Sequence, residues 1–304
     1  MMFIFFSFGP PAGLSRSQIK VTVTVFPLME FVKETGGEWV DVHLLLPPGA
    51  EIHSWQPRPS DVIKTASSHL FVYIGSQLEP WAGSLLKSVG RDDLAVMESS
   101  HGVDMIRQHD PHDDHRHEQT AADPHIWLDF SIDKQIVDRL VQELTRLAPG
   151  HAAEFESNGN RYKKKLDRLD QKFRRGLKEC RSRLMVLGGH SAFGYLARRY
   201  DLEQISVYGL SPEEKPTPGQ LVKLIKKAEE MDIRSVFFEE YISNEMAVMI
   251  AREIGAETYV LNPGANLSRE EMNRGVSFID LMERNLESIK NGLGCRQEKD
   301  IGFR

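Results

Sequence analysis

Histidine is the residue type whose placement in this chain could do chemistry. Three single histidines stand where the chain leaves regular structure. His53 lies in a loop behind a Pro47-Pro48-Gly49 breaker, His125 closes a long polar stretch just before a helix, and His190 follows a short apolar run and two glycines. Open α/β sheets bind ligands beyond the carboxyl ends of their strands, so imidazoles at such positions can converge in one cleft. Three neutral imidazoles with one open or weak fourth position suit Zn2+, whose nitrogen ligands stand ~2.0–2.1 Å away. The run His109-Asp110-Pro111-His112-Asp113-Asp114-His115-Arg116-His117-Glu118 is a different signal, because imidazoles and carboxylates mixed in a loop offer weak, exchangeable ligand sets to a borderline metal. His109, His112, His115 and His117 are therefore read as an auxiliary metal loop. His43, His69 and His151 have no such context and receive no role.

The elements that must position these side chains alternate. Val21, Val23 and Val25 recur at period two and read as a strand, followed by a helix through Phe31 and Val32 and a second strand over residues 39–46. A helix starting near Ser60, a strand over 70–74 and a helix over 78–89 follow. Residues 99–124 hold six Asp or Glu, five His and two prolines without apolar periodicity, which predicts a long loop. A helix is expected over 131–147. Over 153–180, Tyr162, Leu166, Leu169, Phe173 and Leu177 make one apolar stripe, and Lys163, Lys164, Lys165, Arg168 and Lys172 make a solvated face. Strands over 184–187, 235–238 and 258–261 then alternate with helices starting at Ser191, Thr217, Ser243 and Ser268. The predicted fold is α/β, with two (βα) lobes of mainly parallel sheet, one long rigid connecting helix, and the metal in the interlobe cleft. In domain terms, residues 1–19 read as a signal remnant or tail and 20–150 as the first lobe with a His-rich loop over 101–124. Residues 151–181 are the connecting helix and 182–304 the second lobe.

The chain has 304 residues with 44 acidic and 38 basic side chains and a net charge of −6. That balance excludes nucleic acid as the partner, since phosphate neutralisation needs a dense basic face. No apolar run approaches the ~20 residues that span a bilayer. The apolar start is similar to the hydrophobic part of a secretory signal, without its basic first region, and points to export. Two cysteines build no framework, and Cys180 and Cys295 form either one structural disulfide or two buried thiols.

Pro47-Pro48-Gly49-Ala50-Glu51-Ile52-His53-Ser54-Trp55, Asp123-Pro124-His125-Ile126-Trp127-Leu128-Asp129 and His190-Ser191-Ala192-Phe193-Gly194-Tyr195 resemble, in order, the three ligand motifs of the zinc- and manganese-type solute-binding proteins of ABC transporters. Gln77-Leu78-Glu79-Pro80-Trp81 and Phe238-Glu239-Glu240 match in the same order, so the resemblance covers residues 20–293. It implies two lobes bridged by a long helix and a metal held between them by His53, His125 and His190. It also implies a periplasmic or other extracytoplasmic location, and delivery of the ion to the membrane permease of an ABC importer. A monomer with the metal ion and that permease as its partners is the expectation. Histidine at the third position and the His-rich loop resemble the zinc branch, in keeping with the preference of imidazole for zinc and of carboxylate for manganese, so Zn2+ ranks ahead of Mn2+. One departure is Asn262 in Val260-Leu261-Asn262-Pro263-Gly264, where many members have an aspartate ligand. The fourth position then falls to a water, to Asn262 through its oxygen, or to Glu239, and Glu239 is better suited to orienting an imidazole through its other nitrogen. A zinc-dependent hydrolase competes with this reading, because three histidines and an open position also describe hydrolytic zinc. Against it, His117-Glu118 is followed by Gln119-Thr120-Ala121 rather than completing HExxH, so the chain is read as no enzyme. A manganese-type binding protein or adhesin is the remaining alternative.

Overall fold

Short β-branched strands interleaved with helices build two parallel sheets. The computed structural model describes residues 18–108, 121–211, 216–240 and 242–296. The apolar start at residues 1–17 and His109, His112, His115 and His117 lie outside the described residues. In the first lobe, β1 (Ile19–Val23), α1 (Phe26–Gly36), β2 (Val40–Leu44), α2 (Pro59–Ala66), β3 (Leu70–Tyr73), α3 (Ala82–Val89) and β4 (Ala95–Glu98) form an all-parallel sheet of order β2-β1-β3-β4. A two-residue antiparallel ladder between β5 (Arg107–Gln108) and β6 (Ala121–Ala122) closes the base of the His-rich segment. Then come α4 (Phe130–Leu147) and the long α5 (Ala152–Gly176). The second lobe runs β7 (Leu184–Leu187), α6 (Gly194–Arg199), β8 (Glu203–Ser206), α7 (Pro218–Glu230), β9 (Ser235–Glu239), α8 (Glu245–Ile254), β10 (Glu257–Leu261), α9 (Arg269–Asn273) and α10 (Phe278–Gly292). Its sheet is parallel with order β10-β9-β7-β8. Two α/β lobes joined by a long helix is the architecture the sequence predicts.

Parallel strands need helical crossovers on both faces, so the inner strands are apolar throughout. Phe71, Val72, Met185 and Val186 are fully buried accordingly. The stripe on α5 is buried as expected, and Phe155, Tyr162, Leu166, Leu169 and Phe173 each gain about 1.5–3 kcal/mol from leaving water. This stripe sits in one apolar cluster that runs from Val23 and Phe31 in the first lobe to Leu187, Phe237 and Phe278 in the second. The basic face of α5 is occupied by intramolecular ion pairs, Lys163 with Asp138, Lys165 with Glu34 and Lys172 with Glu283.

Several boundaries differ from the sequence expectation. β4 and β8 were not expected. Both are edge strands, and β8, Glu203-Gln204-Ile205-Ser206, carries one apolar residue and so shows no period. α2 starts at Pro59 with Arg58 as its cap, and the helix expected from Ser191 starts at Gly194. The last helical stretch is divided into α9 and α10, because Gly275 turns with a φ of 69° and Ser277 caps a new start. The stripe continues to Leu177, but α5 ends at Gly176, where the chain turns so that Cys180 meets Cys295. These two cysteines are joined in a disulfide, which decides between the two alternatives.

Candidate metal centre

Each of the three histidines comes from a different part of this frame. β7 runs into Gly188-Gly189-His190, and the neighbouring strand β9 ends in Glu239. A Cβ on residue 189 would stand 2.5 Å from Glu239 Oε1, so glycine is needed for the carboxylate to close on His190. That oxygen accepts the backbone N–H of His190 at 3.0 Å and its ring Nδ1 at 2.6 Å. A carboxylate accepts only, so it fixes the proton on Nδ1 and leaves the lone pair on Nε2.

His125 is held in the same way by its own segment. Asp123 Oδ1 accepts the backbone N–H of His125 at 2.9 Å and its Nδ1 at 2.8 Å. The Asp123 carbonyl in turn accepts the phenol of Tyr195 at 3.0 Å, from the second lobe. A 3₁₀ turn, Ile126–Leu128, follows His125, and Trp127 donates its indole N–H to the carbonyl of Pro263 at 2.7 Å. Asp129 then caps α4 through the N–H of Ser131.

His53 reaches the same point from the loop between β2 and α2. Its ring centroid is 5.3 Å from that of His125 and 5.2 Å from that of His190, and the latter two are 5.1 Å apart. One donor atom from each of the three lies within 4.8 Å of the others. Nε2 of His125 and Nε2 of His190 are 3.2 Å apart. With both Nδ1 protons committed to carboxylates, this contact brings two lone pairs together, which repel unless a cation lies between them. Two nitrogens bound ~2.0–2.1 Å from one tetrahedral ion stand about 3.3 Å apart, so the spacing is that of a zinc chelate. Burial, followed by the neighbouring His125 and His190, pushes the His53 imidazole down to about 2, so its ring is neutral at pH 7. Its Nε2 is buried without a hydrogen-bond partner among the described residues. The cavity around the three rings is about 60 Å³ and is also lined by Glu239 and Asn262.

The structure therefore brings His53, His125 and His190 together, and Glu239 stands behind His190 rather than in the cluster. Asn262 lines the cavity with its amide already engaged. Its Oδ1 accepts the N–H of Gly264 at 2.7 Å and its Nδ2 donates to Glu240 at 2.8 Å. Asp123 was not singled out by the sequence. Its signal is an aspartate two residues before a histidine, a spacing at which a carboxylate reaches both the backbone N–H and the ring.

The chain matches the family model for the periplasmic component A of the zinc-uptake complex, ZnuA, over residues 21–292. It belongs to this family. Among relatives of this ZnuA member, the high-affinity zinc uptake system protein ZnuA of Bacillus subtilis is 35% identical over 291 residues, covering 93% of this chain and 90% of the relative. The zinc-binding protein AdcA of Streptococcus pyogenes is 29% identical over 292 residues, which cover 91% of this chain and 56% of that longer protein. Of the solved structures, the metal-dependent lipoprotein YcdH of Bacillus subtilis superposes with a TM-score of 0.78 at 34% identity, covering 91% of this chain and 99% of that one. The Zn(II)-bound ZnuA-like domain of AdcA from Streptococcus pneumoniae superposes with a TM-score of 0.75 at 30% identity, covering 91% and 99%. Among the described residues of this ZnuA-family chain, no helix is long and apolar enough to cross a membrane.

Proposed function

We propose that this chain is an extracytoplasmic zinc-capture protein that binds one Zn2+ through His53, His125 and His190 and hands it to the permease of an ABC importer. The observation that carries the reading is the 3.2 Å separation of two imidazole nitrogens whose protons are directed away from each other into Asp123 and Glu239. Zinc is the cargo, and the chain's residues bind and orient it. Glu239 and Asp123 keep the ligating nitrogens bare, and the fourth position falls to water rather than to Asn262, whose amide is engaged within its own turn and with Glu240. The reading is of a monomeric carrier without catalysis. A cavity of about 60 Å³ holds an ion and little else, whereas organic substrates occupy pockets of roughly 300–1,000 Å³. The two nearby buried carboxylates each hold a histidine Nδ1 through one oxygen, which supports a role in orienting ligands.

The test is a competition titration of the metal-stripped chain with Zn2+ and Mn2+. One tight site that prefers zinc is expected, lost when His53, His125 and His190 are all replaced by alanine. A tight zinc site that survives the triple replacement would sink the assignment.

A further inference from the structure

Two of the three histidines have a carboxylate hydrogen-bonded to Nδ1, whereas among the described residues no carboxylate holds the ring of His53. What holds it is the loop it stands in, and that loop is fastened from the opposite lobe. Asn266, in the segment between β10 and α9, is 5% exposed. Its Nδ2 donates to the carbonyl of Pro47 at 2.7 Å and to that of Ala50 at 2.8 Å. Its Oδ1 accepts the N–H of Leu267 at 2.8 Å, and the Leu267 carbonyl accepts the N–H of Gly49 at 2.9 Å. Within the loop, the N–H of Ala50 bonds the Pro47 carbonyl at 3.0 Å, closing a turn in which Gly49 has a φ of 75°. The next turn is closed by Glu51, which accepts the N–H of Ser54 on its side chain at 2.9 Å and that of Trp55 on its carbonyl at 3.2 Å. His53 lies inside this second turn. A single amide therefore grips both ends of the first turn, and the second follows from it directly.

We propose that Asn266 is the positioning residue for His53. It holds the ligand loop of the first lobe from the second, so the placement of the third imidazole against His125 and His190 depends on a bond across the cleft. An amide is the group this task needs. Its two N–H bonds point at two carbonyls while its oxygen takes an N–H, whereas a carboxylate would set acceptor against acceptor and an apolar side chain would leave two carbonyls unpaired. The proposal rests on the reading of the three histidines as zinc ligands, and the experiment separates the two.

Zinc affinity is measured by chelator competition for Asn266→Leu in three backgrounds, the otherwise unaltered chain, His53→Ala and His125→Ala, with the melting temperature recorded for each. Acting through His53, Asn266→Leu lowers affinity about tenfold in the unaltered chain and in His125→Ala, and leaves His53→Ala within about twofold. An equal loss in all three backgrounds overturns the proposal and leaves the ligand reading standing. A His53→Ala single variant that binds zinc as tightly as the unaltered chain overturns the ligand reading and this proposal with it. Should Asn266→Leu fail to fold, Asn266→Ala removes the same two donors without added bulk and must show the same pattern.

Discussion

Glu239 Oε1 lies 2.6 Å from Nδ1 of His190, and the same oxygen takes that residue's backbone N–H, so one carboxylate fixes both the ring and the chain that carries it. Glu239→Leu removes the acceptor from both N–H groups, so nothing fixes the ring proton on Nδ1 and the tautomer with its proton on Nε2, where zinc would bind, becomes populated. The expected loss of zinc affinity is about 10–100-fold, and Asp123→Leu should do the same at His125. Competition titration measures the loss, and the ¹⁵N shifts of the His190 ring report the tautomer. Affinity unchanged in both variants would show that the carboxylates do not set the ligating nitrogens.

Stability should depend on pH through two carboxyls outside the cleft, Glu79, which is buried, and Glu30, which is half-buried. Burial pushes Glu30 and Glu79 up from 4.5 to about 7, against hydrogen bonds that favour the anion, from Phe278 and Tyr162 to Glu30 and from Gly75, Thr24 and Ile74 to Glu79. The folded chain therefore keeps protons that the unfolded chain releases. Their stabilisation is fully present below pH ~4.5 and is lost as pH rises through about 7. Glu30→Gln keeps an acceptor for Phe278 and a donor towards Tyr162, and does not titrate. Chemical denaturation of metal-free protein should show the wild-type stability, relative to this variant, falling between pH 4.5 and 7 by up to about 3 kcal/mol. A difference that does not vary with pH would refute the assignment.

Asp133 on α4 is fully buried, neither of its carboxyl oxygens has a hydrogen-bond partner among the described residues, and burial holds it well above the usual carboxylate range. A polar group left unsatisfied in this way costs about 1–3 kcal/mol. Asp133→Leu should therefore raise stability by about that amount, read as a higher melting temperature. A clear fall in melting temperature would mean that the carboxyl makes a bond its surroundings do not reveal.

The Cys180–Cys295 disulfide joins residues 115 positions apart and ties the exit of α5 to the end of α10. Closing so long a loop in the unfolded chain removes entropy equivalent to ~2–5 kcal/mol of stability. Paired replacement of both cysteines by serine should lower the denaturation free energy by that order. The bridge touches none of the three histidine segments, so zinc affinity of the folded variant should match the parent. An unchanged denaturation curve would contradict the loop-closure account.

The lobes and the long helix were legible because their signals are periodic. Val21 and Val23 alternate, and Tyr162, Leu166, Leu169 and Phe173 recur along one face of α5. The edge strand β8 was not, because a half-exposed strand of polar residues has no apolar period, and only its pairing with β7 defines it. In the cleft, His53, His125 and His190 stood out because each follows a break in regular structure, and Glu239 because it ends a strand. The roles of Asp123, Tyr195 and Asn266 depend on contacts to backbone atoms 2, 72 and more than 200 residues away. The first leaves only the Asp-Pro-His spacing as its signal, and the distant ones leave no trace in local composition. Asn262 shows the same limit from the other side, since its type suited a ligand and only its hydrogen bonds reveal that its amide serves the turn after β10.

The apolar cluster threaded by α5 makes the two lobes one mechanical body. A carrier whose halves swing freely releases its load whenever they part, and its leak rate is that of the swing. Here parting the lobes means pulling Phe31, Tyr162 and Phe278 from shared packing, a cost that a free swing does not carry. Shared packing of this kind resists separation of the lobes and so keeps the two halves of the cleft in register.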